Sequence, residues 1–129
     1  MLIPIPPTAP STKLVEFCKS KGIHVTAYSC LGSTDSPLAK DETLKKIAQK
    51  HNVAPQQILL VWGIKRGTSV IPKSVTPSRI ADNFKIDGID LSDEEMKALS
   101  SLPDRFKVCN EWLPEKIFGP SYSGTDEAF

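Results

Sequence analysis

Lys73, Ser74, Thr76 and Arg79 bring two fixed cations and two hydroxyls into the segment Ile71-Pro-Lys-Ser-Val-Thr-Pro-Ser-Arg79. The chemistry this combination suits is anion binding. Ser69, Val70 and Ile71 carry the pattern of a short strand, and Thr76 is placed to cap a helix that Pro77 opens at its first position, where a missing N–H costs nothing. The unpaired N–H groups and positive dipole end of such a helix favour a phosphate, and Lys73 and Arg79 strengthen that preference. Read alone, the same turn is more commonly a solvated helix start, and both readings stay open on these residues.

The elements around this corner alternate strand and helix. Apolar Ile23, Val25 and Ala27 alternate with His24, Thr26 and Tyr28, the period of a strand over 23–28, and Gly32 ends it in a loop. A tyrosine at a strand end is commonly a rim aromatic, and Ser29, Ser33 and Asp35 are ordinary turn formers. Leu14, Phe17 and Cys18 mark a helical stripe that starts at Ser11 or Thr12 and stops near Gly22. Leu44, Ile47 and Ala48 mark a second stripe between Asp41 and His51. Pro55 opens a more apolar, broadly buried helix through Ile58, Leu59, Val61, Trp62 and Ile64. Ser92 with Glu95 forms a capping box, and Leu91 with Met96 a hydrophobic staple, before a short helix ending near Leu102. His24 reads as a strand residue and His51 as a helix-end residue. From Pro103 onward no pattern is sustained.

Composition limits the classes of function. A chain of 129 residues that is 40% hydrophobic can form one domain with a core, and a net charge of +1 with mixed signs gives no basic stripe for nucleic acid. No long apolar run suits a membrane. Cys18, Cys30 and Cys109 are widely spaced, form no CxxC pair, and suit a reducing cytosol. The opening MLIPIPPTAP lacks a basic n-region and is broken by prolines, so it does not read as a signal peptide.

Two blocks carry a family resemblance. Ile71-Pro-Lys-Ser followed by Arg79 and Asn83 resembles the third signature of the aldo-keto reductases, and Gly22 to Ser33 resembles the strand and loop on which that family lays the nicotinamide ring. The resemblance implies that Lys73 and Arg79 hold the 2′-phosphate of NADPH, assisted by Ser74 and Thr76, with Val75 lining the pocket and Asn83 near the adenine. Asp82 stands where many relatives have Glu, which keeps the carboxylate that the resemblance sets against the adenine amino group and shortens its reach. Tyr28 would stack on the nicotinamide, Ser29, Leu31 and Ser33 would line the pyrophosphate path, and Asp35 would close over the cofactor by pairing with Lys73. Cys30 replaces the proline usual after Tyr-Ser. In the family the tail shapes the substrate pocket, which makes Phe106, Cys109 and Trp112 substrate-pocket candidates; aromatics pinning a tail to the body are the competing reading.

The implied fold is α/β, a partial (β/α)8 TIM barrel comprising the last two barrel strands, 23–28 and 69–71, with their helices and the C-terminal loop. The chain is short for a whole barrel of about 250 residues. The expected division is an unmatched proline-rich start at 1–10, a cofactor-binding barrel part at 11–103, and a tail or substrate loop at 104–129. The family's proton-donating tyrosine and its lysine, aspartate and histidine lie on earlier strands, outside the segment matched. The expected function is therefore NADPH binding by the C-terminal portion of a cytoplasmic aldo-keto reductase, whose family reduces aldehydes or ketones to alcohols by hydride transfer, with this chain inactive alone. The alternatives are a non-catalytic nucleotide-binding or interaction module and a decayed remnant. Partners would be a small carbonyl substrate in the full-length parent, no nucleic acid and no membrane. Uncovered strand edges invite self-association, and the apolar helix after Pro55 would keep part of its surface wet.

Overall fold

In the computed structural model, three parallel strands lie in the order β1-β2-β3, with β1 at Leu2–Pro4, β2 at Thr26–Tyr28 and β3 at Ser69–Val70. The structure describes residues 1–5, 7, 11–32 and 37–102. Helix α1 (Thr12–Ser20) connects β1 to β2. A 3-10 turn (Pro37–Lys40), α2 (Glu42–His51) and α3 (Pro55–Lys65) connect β2 to β3, and α4 (Pro77–Phe84) and α5 (Asp93–Ser100) follow. Parallel strands need crossovers, and helices supply them here.

Local chemistry fixes the helix ends. Asp41 Oδ1 accepts from the Leu44 N–H at 2.8 Å to start α2, and Asn52, in the left-handed region at φ 54°, ends it. Ser92 Oγ accepts from the Glu95 N–H while Glu95 Oε2 accepts from the Ser92 N–H, the capping box expected at α5. Ser11 occupies the N-cap position of α1, yet its side chain makes no capping bond. In that helix Val15 and Cys18 turn inward while Phe17, expected in the apolar stripe, is 56% exposed.

Helix α3 is the hub. Residues Gln57 to Gly63 are all buried, because α3 packs against α2, β3 and α4, and Trp62 Nε1 donates to Ser100 Oγ of α5 at 3.0 Å. The part of its apolar surface expected to stay wet is found at the C-terminal end, where Ile64 is 45% exposed, and not along that run. The outward side of Trp62 carries the Arg66 guanidinium, 4.5 Å from the ring centroid. Close approach fixes Gly63: a Cβ there would stand 2.8 Å from Val70 Cγ1.

Helices α2 and α5 are clamped through Glu95, whose carboxylate accepts from Lys50 Nζ at 2.8 Å and lies 3.1 Å from His51 Nε2. Burial works to raise this carboxyl, but the Lys50 bond, the Ser92 N–H and His51 together outweigh it and bring it from 4.5 down to about 2.

The sheet has two unlike faces. Residues paired in parallel register share a face, so Leu2, Thr26 and Ser69 point one way, and Ala27 and Val70 point the other. The helices cover the second face, where Val25, Ala27 and Ile5 are buried. On the first face Thr26 Oγ1 and Ser69 Oγ share a hydrogen bond of 2.8 Å, while Leu2 is 60% and Ile71 52% exposed.

Strand β1, within the proline-rich start, corrects the expectation of only two strands. It pairs with β2 through the Met1 carbonyl, which accepts from Thr26 N–H at 2.7 Å, and through Ile5 N–H, which donates to Tyr28 O at 3.2 Å. Alternate residues of a parallel strand bond the same neighbour, so Pro4, between them, presents its missing N–H to the outer edge. At the other edge Ser69 and Ile71 donate to β2, leaving Val70 N–H directed outward and Pro72 with none to offer. The two expected strands are also shorter than their patterns, beginning at Thr26 rather than Ile23 and ending at Val70 rather than Ile71.

Candidate functional site

The corner after β3 and the loop after β2 lie at the C-terminal ends of adjacent parallel strands. Thr76 holds the N-cap position of α4 with extended dihedrals (φ −97°, ψ 115°), but its hydroxyl makes no capping bond. Ser74 Oγ instead accepts from the Thr76 N–H at 3.2 Å. The first N–H groups of α4 thus lack a side-chain cap, the condition in which a helix start accepts an anion.

A cleft of about 380 Å³ opens beside this corner, lined by Leu31 from the β2 loop, by Lys73, Ser74, Arg79 and Asn83, and by Leu38, Leu44, Pro55, Gln56 and Leu59. Pro55 and Gln56 are the first residues of α3, so the opening turns of two helices meet the cavity, one of them flanked by two cations. Neither Lys73 nor Arg79 forms an ion pair with a described residue. Asn83 Oδ1 is buried and has no hydrogen-bond partner among the described residues. A buried acceptor left unmatched is costly.

The cleft therefore gathers five of the residues singled out in the sequence. Tyr28, Ser29, Val75, Thr76 and Asp82 are not among its lining. Tyr28 ends β2 on the open face of the sheet, two residues beyond Thr26. Ser29 takes a positive φ of 51°, and the Gly32 N–H donates to its carbonyl at 2.9 Å, closing the turn that carries Leu31 to the cleft. Cys30 is buried inside that turn, and burial pushes its thiol up, so it serves packing and is a poor nucleophile. Asp82 directs its carboxylate at Lys85, 3.3 Å away on the next turn. Val75 is exposed. Ser33, Asp35, Phe106, Cys109 and Trp112 lie outside the described residues.

Leu38, Leu44, Leu59, Pro55 and Gln56 escaped the sequence reading as site residues. They are apolar or helix-start residues with no motif of their own, and only the fold brings them to the corner. Among the described residues no group of His, Cys, Asp or Glu could hold a metal ion, and no helix is long and apolar enough to cross a membrane.

The sequence model of the "Aldo/keto reductase family" matches residues 6–104. This chain belongs to that family. Among curated aldo/keto reductase relatives, the chain is 42% identical over 120 residues to "Glycerol 2-dehydrogenase (NADP(+))" of Saccharomyces cerevisiae, covering 90% of this chain and 38% of that protein. It is 49% identical over 94 residues to "D-galacturonate reductase" of Hypocrea jecorina, covering 73% of this chain and 30% of that protein. Among solved structures, an aldo-keto reductase enzyme, MGS-M4, from a Medee basin deep-sea metagenome library superposes with a TM-score of 0.81 at 36% identity, over 86% of this chain and 42% of that one. The chain thus spans well under half the length of these relatives. The matched span takes in residues 6–10, which the motif reading had left aside.

Proposed function

We propose that this chain is the NADPH-binding C-terminal portion of an aldo-keto reductase, and that its cleft seats the phosphate-bearing adenosine end of the cofactor. The observation that carries the reading is the meeting of Lys73, Ser74, Arg79 and Asn83 in one cleft with two helix starts. Lys73 and Arg79 would bind the 2′-phosphate, with Ser74 and the uncapped start of α4 as hydrogen-bond donors. Thr76 would assist from the N-cap position of α4, and Val75 would flank the bound phosphate from outside the cleft. Asn83 would lie near the adenine, whose amino group the Asp82 carboxylate would approach. Tyr28, on the open face, would meet the nicotinamide, and Ser29, Leu31, Ser33 and Asp35 would follow the pyrophosphate between the two ends.

When bound, NADPH supplies a hydride to a carbonyl carbon. The carbonyl oxygen then needs a proton donor within hydrogen-bond reach, and in this proposal the donor and its supporting lysine, aspartate and histidine belong to barrel strands outside this chain. The cofactor site falls within 11–103, and the segment 104–129, with Phe106, Cys109 and Trp112, borders the substrate, a small aldehyde or ketone. The setting is cytoplasmic, and the open sheet makes self-association of the isolated chain an accompanying expectation.

Calorimetric titration of the purified chain with NADPH and with NADH tests the reading. NADPH should bind more tightly, and Arg79→Ala should weaken NADPH by about ten- to a hundredfold, roughly 1.5–3 kcal/mol for a charged hydrogen bond, while leaving NADH unchanged. Equal affinities for the two cofactors, or no binding by a chain that melts cooperatively, would overturn it.

A further inference from the structure

Helix α4 carries Arg79 and Asn83, yet no residue of it is buried as a whole. Ile80 and Phe84, four residues apart on one face, are exposed, Phe84 by 82%. A helix with so little apolar contact must be held in place by other groups. Gln57 of α3, itself only 8% exposed, meets this need. Its Nε2 donates to the carbonyl oxygens of Asp82 at 3.1 Å and Lys85 at 2.7 Å, and its Oε1 accepts from the Ala54 N–H at 2.9 Å. The last carbonyls of a helix and its leading N–H groups lack partners within the helix, so one buried amide satisfies the end of α4 and the start of α3 together.

The two carbonyls held by Gln57 bracket Asn83, whose own buried oxygen has no partner among the described residues. We infer that Gln57 is a positioning residue for the anion cleft: by pinning the end of α4, it sets where Arg79 and Asn83 stand relative to Lys73. This rests on the nucleotide-site reading above. Gln57 itself is not among the residues lining the cleft, so its effect on a ligand passes through α4; its neighbours Pro55 and Gln56 form the cavity wall.

Gln57→Glu keeps the acceptor for Ala54 and nearly the same volume, but sets a carboxylate oxygen against two carbonyls. Gln57→Asn is the milder variant, too short to reach all three partners. Leu99→Ala, at a buried site on α5, is the control that lowers stability while leaving the Gln57 bonds to α4 in place. The measurements are the affinity for NADPH and for 2′,5′-ADP, and amide hydrogen exchange at 80–84, taken where each variant is fully folded. Both Gln57 variants should weaken both ligands by about tenfold or more and speed exchange in α4 but not in α2, whereas Leu99→Ala lowers the melting temperature with affinities unchanged. The deficit of Gln57→Glu relative to the unsubstituted chain should also shrink between about pH 8 and about pH 5, because a protonated carboxyl regains a donor. Unsubstituted affinity in the Gln57 variants, or an equal loss in Leu99→Ala, overturns the inference. An unsubstituted chain that binds neither ligand overturns the nucleotide reading instead. In that case, unchanged exchange at 80–84 in the Gln57 variants would refute the anchor as well.

Discussion

The two faces of the sheet share the same strands and differ in what lies against them. On one side Val25, Ala27 and Ile5 are sealed under helices, with α3 buried along most of its length behind them. On the other, Leu2 and Ile71 stand largely in solvent around a small hydroxyl network of Thr26 and Ser69. The stability of this chain is therefore concentrated in its helix-covered half. The open face, which carries Tyr28, contributes position rather than cohesion.

The largest effect should come from the centre of the covered side. Trp62→Ala removes the biggest fully buried side chain and its bond to Ser100, and should cost about 3–5 kcal/mol in a urea melt. Acid should strike the helix layer next. The Glu95 carboxyl stands below its ordinary range when folded, so its stabilisation is complete above about pH 4.5 and is lost as pH falls toward 2. Melts across that window should show a loss of up to about 3 kcal/mol, and Glu95→Gln should flatten it. Gly63→Ala pushes a methyl into Val70 and should cost about 1–3 kcal/mol by overpacking, read by the same melts. On the open face, Leu2→Ser and Ile71→Ser should each change stability by no more than about 0.5 kcal/mol. A loss well above that in either variant would mean that the open face is packed after all, and would break the contrast.

Much of the helix-covered half was legible in the sequence because its signals are local. Asp41 with Leu44, Ile47 and Ala48, Pro55 before an apolar run, and Ser92 with Glu95 each mark an element within one or two turns. Phe17 misled because hydrophobicity alone ranks it above Val15, although the spacing to Cys18 puts Val15 on the buried side. Strand β1 was illegible because its prolines read as breakers; only the ladder shows that Pro4 falls where no N–H is needed. That Lys73, Ser74 and Arg79 would gather at one helix start was readable from their spacing. The leucines that wall the cleft, and the reach of Gln57 from α3 to Asp82 and Lys85, depend on contacts between segments about 25 residues apart and leave no local trace.

In a concentrated sample, the edge prolines govern how copies of this chain can meet. Each rim of the sheet offers one backbone donor, at Leu2 or at Val70, before Pro4 or Pro72 interrupts the row. A growing cross-β stack needs an unbroken row of donors, so fibre-like extension along either rim is blocked at its first step. Molecules that do associate would be held by Leu2 and Ile71 pressed face to face, giving small, reversible clusters rather than filaments.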